Sequence, residues 1–530
     1  MRNYHFPGRS VVQAINGVAA TSNPLSTLAA IDVLRQGGNA IDASVAACAV
    51  QCVVEPMSTG IGGDCFVLYQ KGGTGPVIGI NGSGWSPAGL TLEHLEESDV
   101  SVIGTESIES VTIPGAIDAW CAIMESYGAL GIDTVLQPAI RLAEDGFAIS
   151  EVTQQQWSRR VDGLRGNAAA STLYLKAGDA PATGDVWRSP ALGQTLRVVA
   201  KKGRDGFYAG PVLDQMLADL QAAGGMHTAD DFTDYCYETV TPIASGYRGR
   251  TVLEIPPSGQ GITAQIMLNI LEDFDLTGLD PCSAERFHLM VEAQRLAFVE
   301  RDKFVADQRA TDVPIDFLLS EDLATTLRSH IREDQAIDHL PIVDGPKHED
   351  TVYLTVVDRD LNCVSFINSL FWGFGSCIAS EKTGVVFQNR GSGFVMERGH
   401  PNCVGPRKRP LHTIIPGMVL DGDGKCELSF GVMGGHYQPV GHGQVITNLW
   451  DHGLDIQQAI DCPRVFHNGA AIEAEDSVPA ETLVRLEALG HAIEPAPHPH
   501  GGSQGIVIDR VRGVLAAGSD PRKDGCALGY

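Results

Sequence analysis

The sequence predicts a layered α+β fold, and three observations carry that prediction. Thr351-Val352-Tyr353-Leu354-Thr355-Val356-Val357 is a β-branched run entered abruptly from the charged approach Pro346-Lys347-His348-Glu349-Asp350. Across the turn chemistry of Asp358 to Asn362, the stretch Cys363 to Asn368 reads as its hairpin partner. Ala40 to Val54 is rich in Ala and Val nearly all round, with Asp42 and Gln51 its strongly polar interruptions, the pattern of a helix enclosed between layers. Strand candidates occur in both the early and the late parts of the chain, with helical patterns between them.

In chain order, Asn23-Pro24 has cap-then-first-turn chemistry and Gly37-Gly38 is a helix stop, so Pro24 to Gln36 reads as an amphipathic helix with Leu25, Leu28, Ile31 and Leu34 as its apolar stripe. Pro56 ends the second helix, and Ser58 to Gly63 is a tight glycine turn into the strand Cys65 to Gln70. That turn is no phosphate loop: there is no GxxxxGK[ST], and no GxGxxG lies between a strand and a helix. From Gly72 to Ile140 there is no Lys or Arg. Glu285 to Asp307 and Asp322 to Ile331 read as helices, and Arg332 to Asp350 as a polar, exposed linker. Gly384 to Gln388, Thr413 to Leu420, Glu427 to Val432 and Gly505 to Asp509 are strand candidates, and Asp455 opens a short helix.

Length and composition set bounds. The 530 residues are enough to bury a large core, and 43% hydrophobic with 19% charged residues is the balance of a globular protein. A net charge of −27 argues against nucleic acid and against anionic membrane as partners. The twelve cysteines show no CxxC pair and read as reduced core thiols. The first ten residues lack the apolar run of a signal peptide, and no segment reaches membrane-spanning length without charge, so the expected location is cytoplasmic.

A series of motifs then appears in a fixed order: Gly37 to Ala43, Gly60 to Gly63, Pro256 to Gly261, Thr351 to Asp358, Phe374-Gly375, Gly405 to Pro410, Met433 to Gly435, Ala459 to Arg464 and Gly518 to Arg522. In this register the chain resembles the γ-glutamyltranspeptidase family of N-terminal-nucleophile hydrolases over nearly its whole length. The resemblance implies a four-layer αββα sandwich. It also implies self-cleavage at Asp350-Thr351 into a large subunit, residues 1–350, and a small subunit, residues 351–530, that together form one αββα unit. No cofactor is implied, and a dimer of such heterodimers stays open.

An N-terminal threonine unites two functions. Its hydroxyl attacks a carbonyl and its own amine, with an unperturbed pKa of about 8, takes the proton. The same hydroxyl can first attack the Asp350 carbonyl, giving an ester by N-to-O shift that water opens. By position in the resembled family, Ser369 contacts the nucleophile and Gly434-Gly435 form the oxyanion hole, where adjacent glycines let backbone N–H groups approach a developing alkoxide.

Substrate recognition departs from the family pattern. The arginine that holds a substrate α-carboxylate aligns with Leu92, shortly after Pro87-Ala88. The amide and acid that hold an α-ammonium fall at Phe371, Arg390 and Gly393, with Asn389 beside them, and a serine pair has become His412-Thr413. A zwitterionic glutamyl head is poorly served by these residues, whereas Arg390 offers a fork for a carboxylate. The pattern looks like the oxamate amidohydrolase branch, which acts on a very small acid amide in purine-derived nitrogen salvage; the expected substrate is therefore a small-molecule acid amide. The alternative is a γ-glutamyltranspeptidase or glutathione hydrolase. Two other readings are weaker. Gly501-Gly502-Ser503-Gln504-Gly505 matches GxSxG, but a strand pattern follows it instead of a helix. The pairs His498/His500 and His436/His442 lack a third ligand at metal spacing.

Overall fold

The computed structural model describes residues 8–338, 340 and 350–530. Two seven-stranded sheets form its centre. One runs in the order 12–14, 514–519, 502–509, 426–433, 417–420, 250–254, 243–247; the other in the order 526–529, 18–21, 350–357, 363–371, 64–70, 77–82, 238–240. The strand Asp350–Val357 alternates: Tyr353 and Val357 enter the core between the sheets, whereas Leu354 and Val356 face the outer helices. A period of two therefore places Thr351 and Thr355 on the inter-sheet side, and Thr355 Oγ1 lies 2.7 Å from Ser429 Oγ of the facing sheet.

Helices cover both outer faces. Pro24–Arg35, Ala40–Val54, Ala116–Tyr127 and Gln137–Asp145 share a core with Leu354, Val356, Val364 and Phe366 of one sheet. Gly261–Leu271, Ala284–Phe304, Gln438–Trp450 and Ile456–Asp461 share a core with Val252, Leu428, Phe430 and Val432 of the other. The result is the αββα order expected. All fifteen residues of Ala40–Val54 are buried, as its composition predicts.

The first helix differs from expectation. Its Leu28 is exposed, and the buried arc includes Ser26, Thr27, Ala30 and Leu34. Small hydroxylated residues set that face because they allow close approach: Ser26 Oγ donates to the Ala47 carbonyl at 2.8 Å, and Thr27 Oγ1 to the Cys526 carbonyl at 2.9 Å. Two late strands are shorter than their apolar runs. Thr413 to Leu420 contributes only Gly417–Leu420, since Pro416 has no N–H for the ladder, and Gly384 to Gln388 contributes only Val385–Val386. Cys236 is an exposed exception to the expected core thiols. In the expected linker Arg332 to Asp334 are exposed, while 339 and 341–349 lie outside the described residues. No helix among the described residues is long and apolar enough to cross a membrane.

Candidate active site

The hairpin places the threonine through an irregularity in its ladder. Asp350 pairs with Phe371 and Val352 with Asn368, so Ser369 and Leu370 both stand opposite Thr351. Such a bulge re-aims a side chain at the end of a ladder. Thr351 is 2% exposed, and its Oγ1 lies 3.0 Å from Ser369 Oγ. Ser369 Oγ accepts from the Phe371 N–H at 2.8 Å and from Arg390 Nη2 at 3.4 Å. Either hydroxyl of the Thr351–Ser369 pair can be the donor.

Arg390 is fully buried. Its Nη1 donates to Thr413 Oγ1 at 2.7 Å and its guanidinium carbon stands 4.0 Å from the centre of the Phe371 ring, a cation–π contact that strengthens when desolvated. Phe371 holds a left-handed backbone, φ +81°, which a bulky residue adopts only where its surroundings hold it there. The two positions named from sequence as an apolar group and a cation are thus stacked on one another, one hydroxyl away from Thr351.

The glycine pair ends a strand of the other sheet. Gly434 follows the strand Cys426–Met433 with φ +108°, and Gly435 has φ +52°. A Cβ on Gly434 would stand 2.8 Å from Gly501 Cα. Gln260 connects this pair to the arginine: its Nε2 donates to the Gly435 carbonyl at 2.8 Å and to the Thr413 carbonyl at 2.7 Å. Its Oε1 accepts from Arg301 Nη1 at 3.1 Å, and the same guanidinium nitrogen contacts His436 Nδ1 at 2.9 Å. Thr351, Ser369, Arg390, Thr413, Gln260 and Gly435 form one unbroken hydrogen-bonded chain.

Other residues singled out from sequence stand close by with backbone or structural partners. Asn389 donates to the Thr105 carbonyl at 2.8 Å and accepts from the Trp372 N–H at 3.2 Å. The His412 ring bonds Asp64 Oδ2 at 2.8 Å. Burial first, then the Arg390 charge, pushes this imidazole down to about 4 against the pull of Asp64. His436 is held well below the ordinary histidine range by burial and by the Arg301 and Arg390 charges. Leu92 is buried among Leu90, Leu95, Ile103, Phe394 and Val404. Ser503 lies inside the strand Gly502–Asp509, its hydroxyl bonded to the Gly431 carbonyl at 3.2 Å, and His436 and His442 have separate partners, the latter Glu254 Oε1 at 2.7 Å.

Gln260, Arg301 and Arg160 were not identified as site residues from sequence. Arg160 comes from outside the basic-free stretch and donates to the Gly373 carbonyl at 3.0 Å and to Glu106 at 2.7 Å. Gln260 lay inside a noted motif, but nothing local signals its bonds to residues so far along the chain. Beyond Gly434 opens a cavity of about 260 Å³ lined by Arg160, Trp372, His436, Tyr437 and His500 among others.

Comparisons with known proteins identify the family and the fold. The model of the family described as gamma-glutamyltranspeptidase matches residues 26–530. The glutathione hydrolase-like YwrD proenzyme of Bacillus subtilis (strain 168) is 35% identical over 515 residues, covering 95% of this chain and 97% of that protein. The oxamate amidohydrolase proenzyme of Klebsiella pneumoniae subsp. pneumoniae is 31% identical over 529 residues, covering 97% and 98%. Among solved structures, the cephalosporin acylase from Bacillus halodurans superposes with a TM-score of 0.93 at 38% identity, over 100% of this chain and 99% of that one.

Proposed function

The chain belongs to the gamma-glutamyltranspeptidase family, and on that premise we propose that it is a self-processing N-terminal-threonine amidohydrolase whose substrate is a small amide carrying a carboxylate. Cleavage of Asp350-Thr351 would divide it into residues 1–350 and 351–530. Strands of the two portions interleave in both sheets, with 350–357 between 18–21 and 363–371, so parting the backbone there leaves the core intact.

In the proposed reaction Thr351 Oγ1 attacks the amide carbon while the new α-amine takes the hydroxyl proton. Ser369 donates to the attacking oxygen, and N–H groups of the Gly434-Gly435 turn receive the developing oxyanion. The amine returns the proton to the leaving nitrogen, ammonia departs, and water then opens the Thr351 ester to release the diacid. Arg390 supports the substrate reading: it is a fully buried guanidinium one hydroxyl away from Thr351, and a guanidinium there suits a carboxylate next to the scissile carbonyl.

A second reading, an amidohydrolase acting on a larger amide such as glutathione, is favoured by the cavity beyond Gly434. Its volume of about 260 Å³ accommodates a leaving group of several heavy atoms, where ammonia needs no more room than a water molecule, about 10–15 Å³ on the same measure. Incubation with oxamate, glutaryl amides and glutathione, with ammonia or amine release measured, separates the two. The first reading expects oxamate turnover that Arg390→Ala weakens through KM by at least about tenfold while self-cleavage proceeds. Turnover of glutathione alone would replace it with the second.

A further inference from the structure

Far along the chain from the threonine, three ligand-type side chains converge that take no part in the proposed reaction. His288 and Glu292 stand one turn apart on the helix Ala284–Phe304 and so project from one face. His491 meets them from the loop after the helix Ala480–Ala488. All three are buried, and one ligand atom of each lies within 4.8 Å of the others.

The hydrogen bonds fix which atoms are offered. His288 Nε2 sits 2.7 Å from the Arg332 carbonyl, which only accepts, so that nitrogen carries the proton. Its Nδ1 therefore turns a lone pair inward, toward His491 Nε2 at 2.7 Å. Glu292 Oε1 lies 3.8 Å from the same His491 nitrogen and is held by Arg295 Nη1 at 2.8 Å. An imidazole whose outer nitrogen is anchored to a carbonyl is how proteins orient a metal-bound histidine.

We infer that His288 Nδ1, His491 Nε2 and Glu292 Oε1 form a binding site for a borderline-soft divalent cation of the zinc type. Two nitrogens and one carboxylate oxygen suit zinc, whereas calcium and magnesium require a shell of oxygens. Binding replaces the proton now shared between the rings: His491 moves its hydrogen from Nε2 to Nδ1, with no net proton released. Tetrahedral geometry at zinc–nitrogen distances sets the two nitrogens about 3.3 Å apart, a small retreat for a histidine carried on a loop. Water completes the shell, and Arg295 stays as the partner of the Glu292 carboxylate. The ion would join the 284–304 helix, and Arg332 beside it, to the C-terminal part of the chain.

The test is zinc uptake by the full chain, stripped with chelator and dialysed against Zn²⁺, with thermal melting alongside and Co²⁺ as a spectroscopic substitute. Expected are one ion per chain, a higher Tm with zinc, and the strong visible absorption of four-coordinate cobalt. Affinity should drop at least about tenfold in His288→Gln and His491→Gln and hold in His330→Gln, an exposed control. No uptake by the folded wild-type protein overturns the site whatever the variants do, and uptake unchanged in both His288→Gln and His491→Gln overturns the assignment of its ligands.

Discussion

Gln260→Met tests whether the proposed oxyanion glycines are aimed from a distance. The substitution keeps the length and bulk of a fully buried side chain and removes all three of its polar contacts. The Gly435 and Thr413 carbonyls lose donors at 2.8 and 2.7 Å, and Arg301 Nη1 loses an acceptor at 3.1 Å while keeping His436. A buried polar group left without a partner costs roughly 1–3 kcal/mol; the Thr413 carbonyl is the group so left, since the Gly435 carbonyl keeps the Gln438 N–H and Arg301 keeps His436, so the stability loss is about 1–3 kcal/mol. The catalytic effect is separate. Gly435 is held at φ +52° with its carbonyl accepting from both Gln260 and the Gln438 N–H, and loss of the first donor loosens the turn proposed to receive the oxyanion. Complete loss of one oxyanion donor lowers kcat by about 10²–10³, so a loosened donor should lower it by about 10- to 100-fold. KM should move by less than about threefold, because the Arg390 bond to Thr413 Oγ1 survives. Steady-state ammonia release and a melting curve on the same preparation read both effects. A variant with a lowered Tm but kcat within about twofold of wild type would refute the reasoning, since the fold would have lost the contacts and the chemistry would not have noticed.

Thr351→Ala should leave a single chain of full length without turnover, while the wild-type small fragment should begin at Thr351 on N-terminal sequencing. Gly434→Ala should lower kcat by at least about 100-fold, because its Cβ would meet Gly501 Cα at 2.8 Å and its φ of +108° strains any L side chain; normal turnover would remove Gly434 from the oxyanion site. Acid stability should depend on buried histidines such as His227, which burial pushes down to about 4. Since that folded value lies below the unfolded 6.5, the unfolded chain binds the extra proton between them, and stability that is complete above about 6.5 drains away as pH falls toward 4, by up to about 3 kcal/mol. Glu55 opposes this, its carboxyl raised to about 7 by burial, so that its contribution is lost as pH rises from the ordinary carboxyl value toward 7. His227→Gln should therefore flatten the acid side of a plot of Tm against pH, and an unchanged slope would assign the acid sensitivity to other groups.

What could be read from the chain beforehand was whatever short-range pattern determines. The hairpin from Asp350 to Phe371 announces itself through β-branched residues around a turn, and Ala40–Val54 through apolarity on every side, because both depend on neighbours within a few residues. The first helix shows where this ends: leucine spacing favoured a stripe through Leu28, but the face that packs is chosen by how closely Ser26 and Thr27 approach Ala47 and Cys526. Thr351, Ser369 and the glycine pair were found by resemblance, and the structure joins them through contacts that local sequence does not encode. Gln260 bonds residues 153 and 175 positions away, and Arg390 is stacked on Phe371 across a bulge that depends on register.

The same long-range links explain how a chain of net charge −27 keeps a cation one hydroxyl away from Thr351. The global field of so acidic a protein repels a carboxylate at long range, but a Debye length near 8 Å at physiological salt confines that repulsion to the surface. Arg390 acts inside that length, in a desolvated layer between two sheets, where a charge pair is worth several times its value in water. Its influence is visible in two buried imidazoles, His412 and His436, whose proton affinities it depresses. A carboxylate bound there would reverse part of that depression. Titration of His412 by NMR, with and without an inert carboxylate such as oxalate, should therefore show its pKa rising on binding; a value unmoved by a ligand that demonstrably binds would place the carboxylate elsewhere.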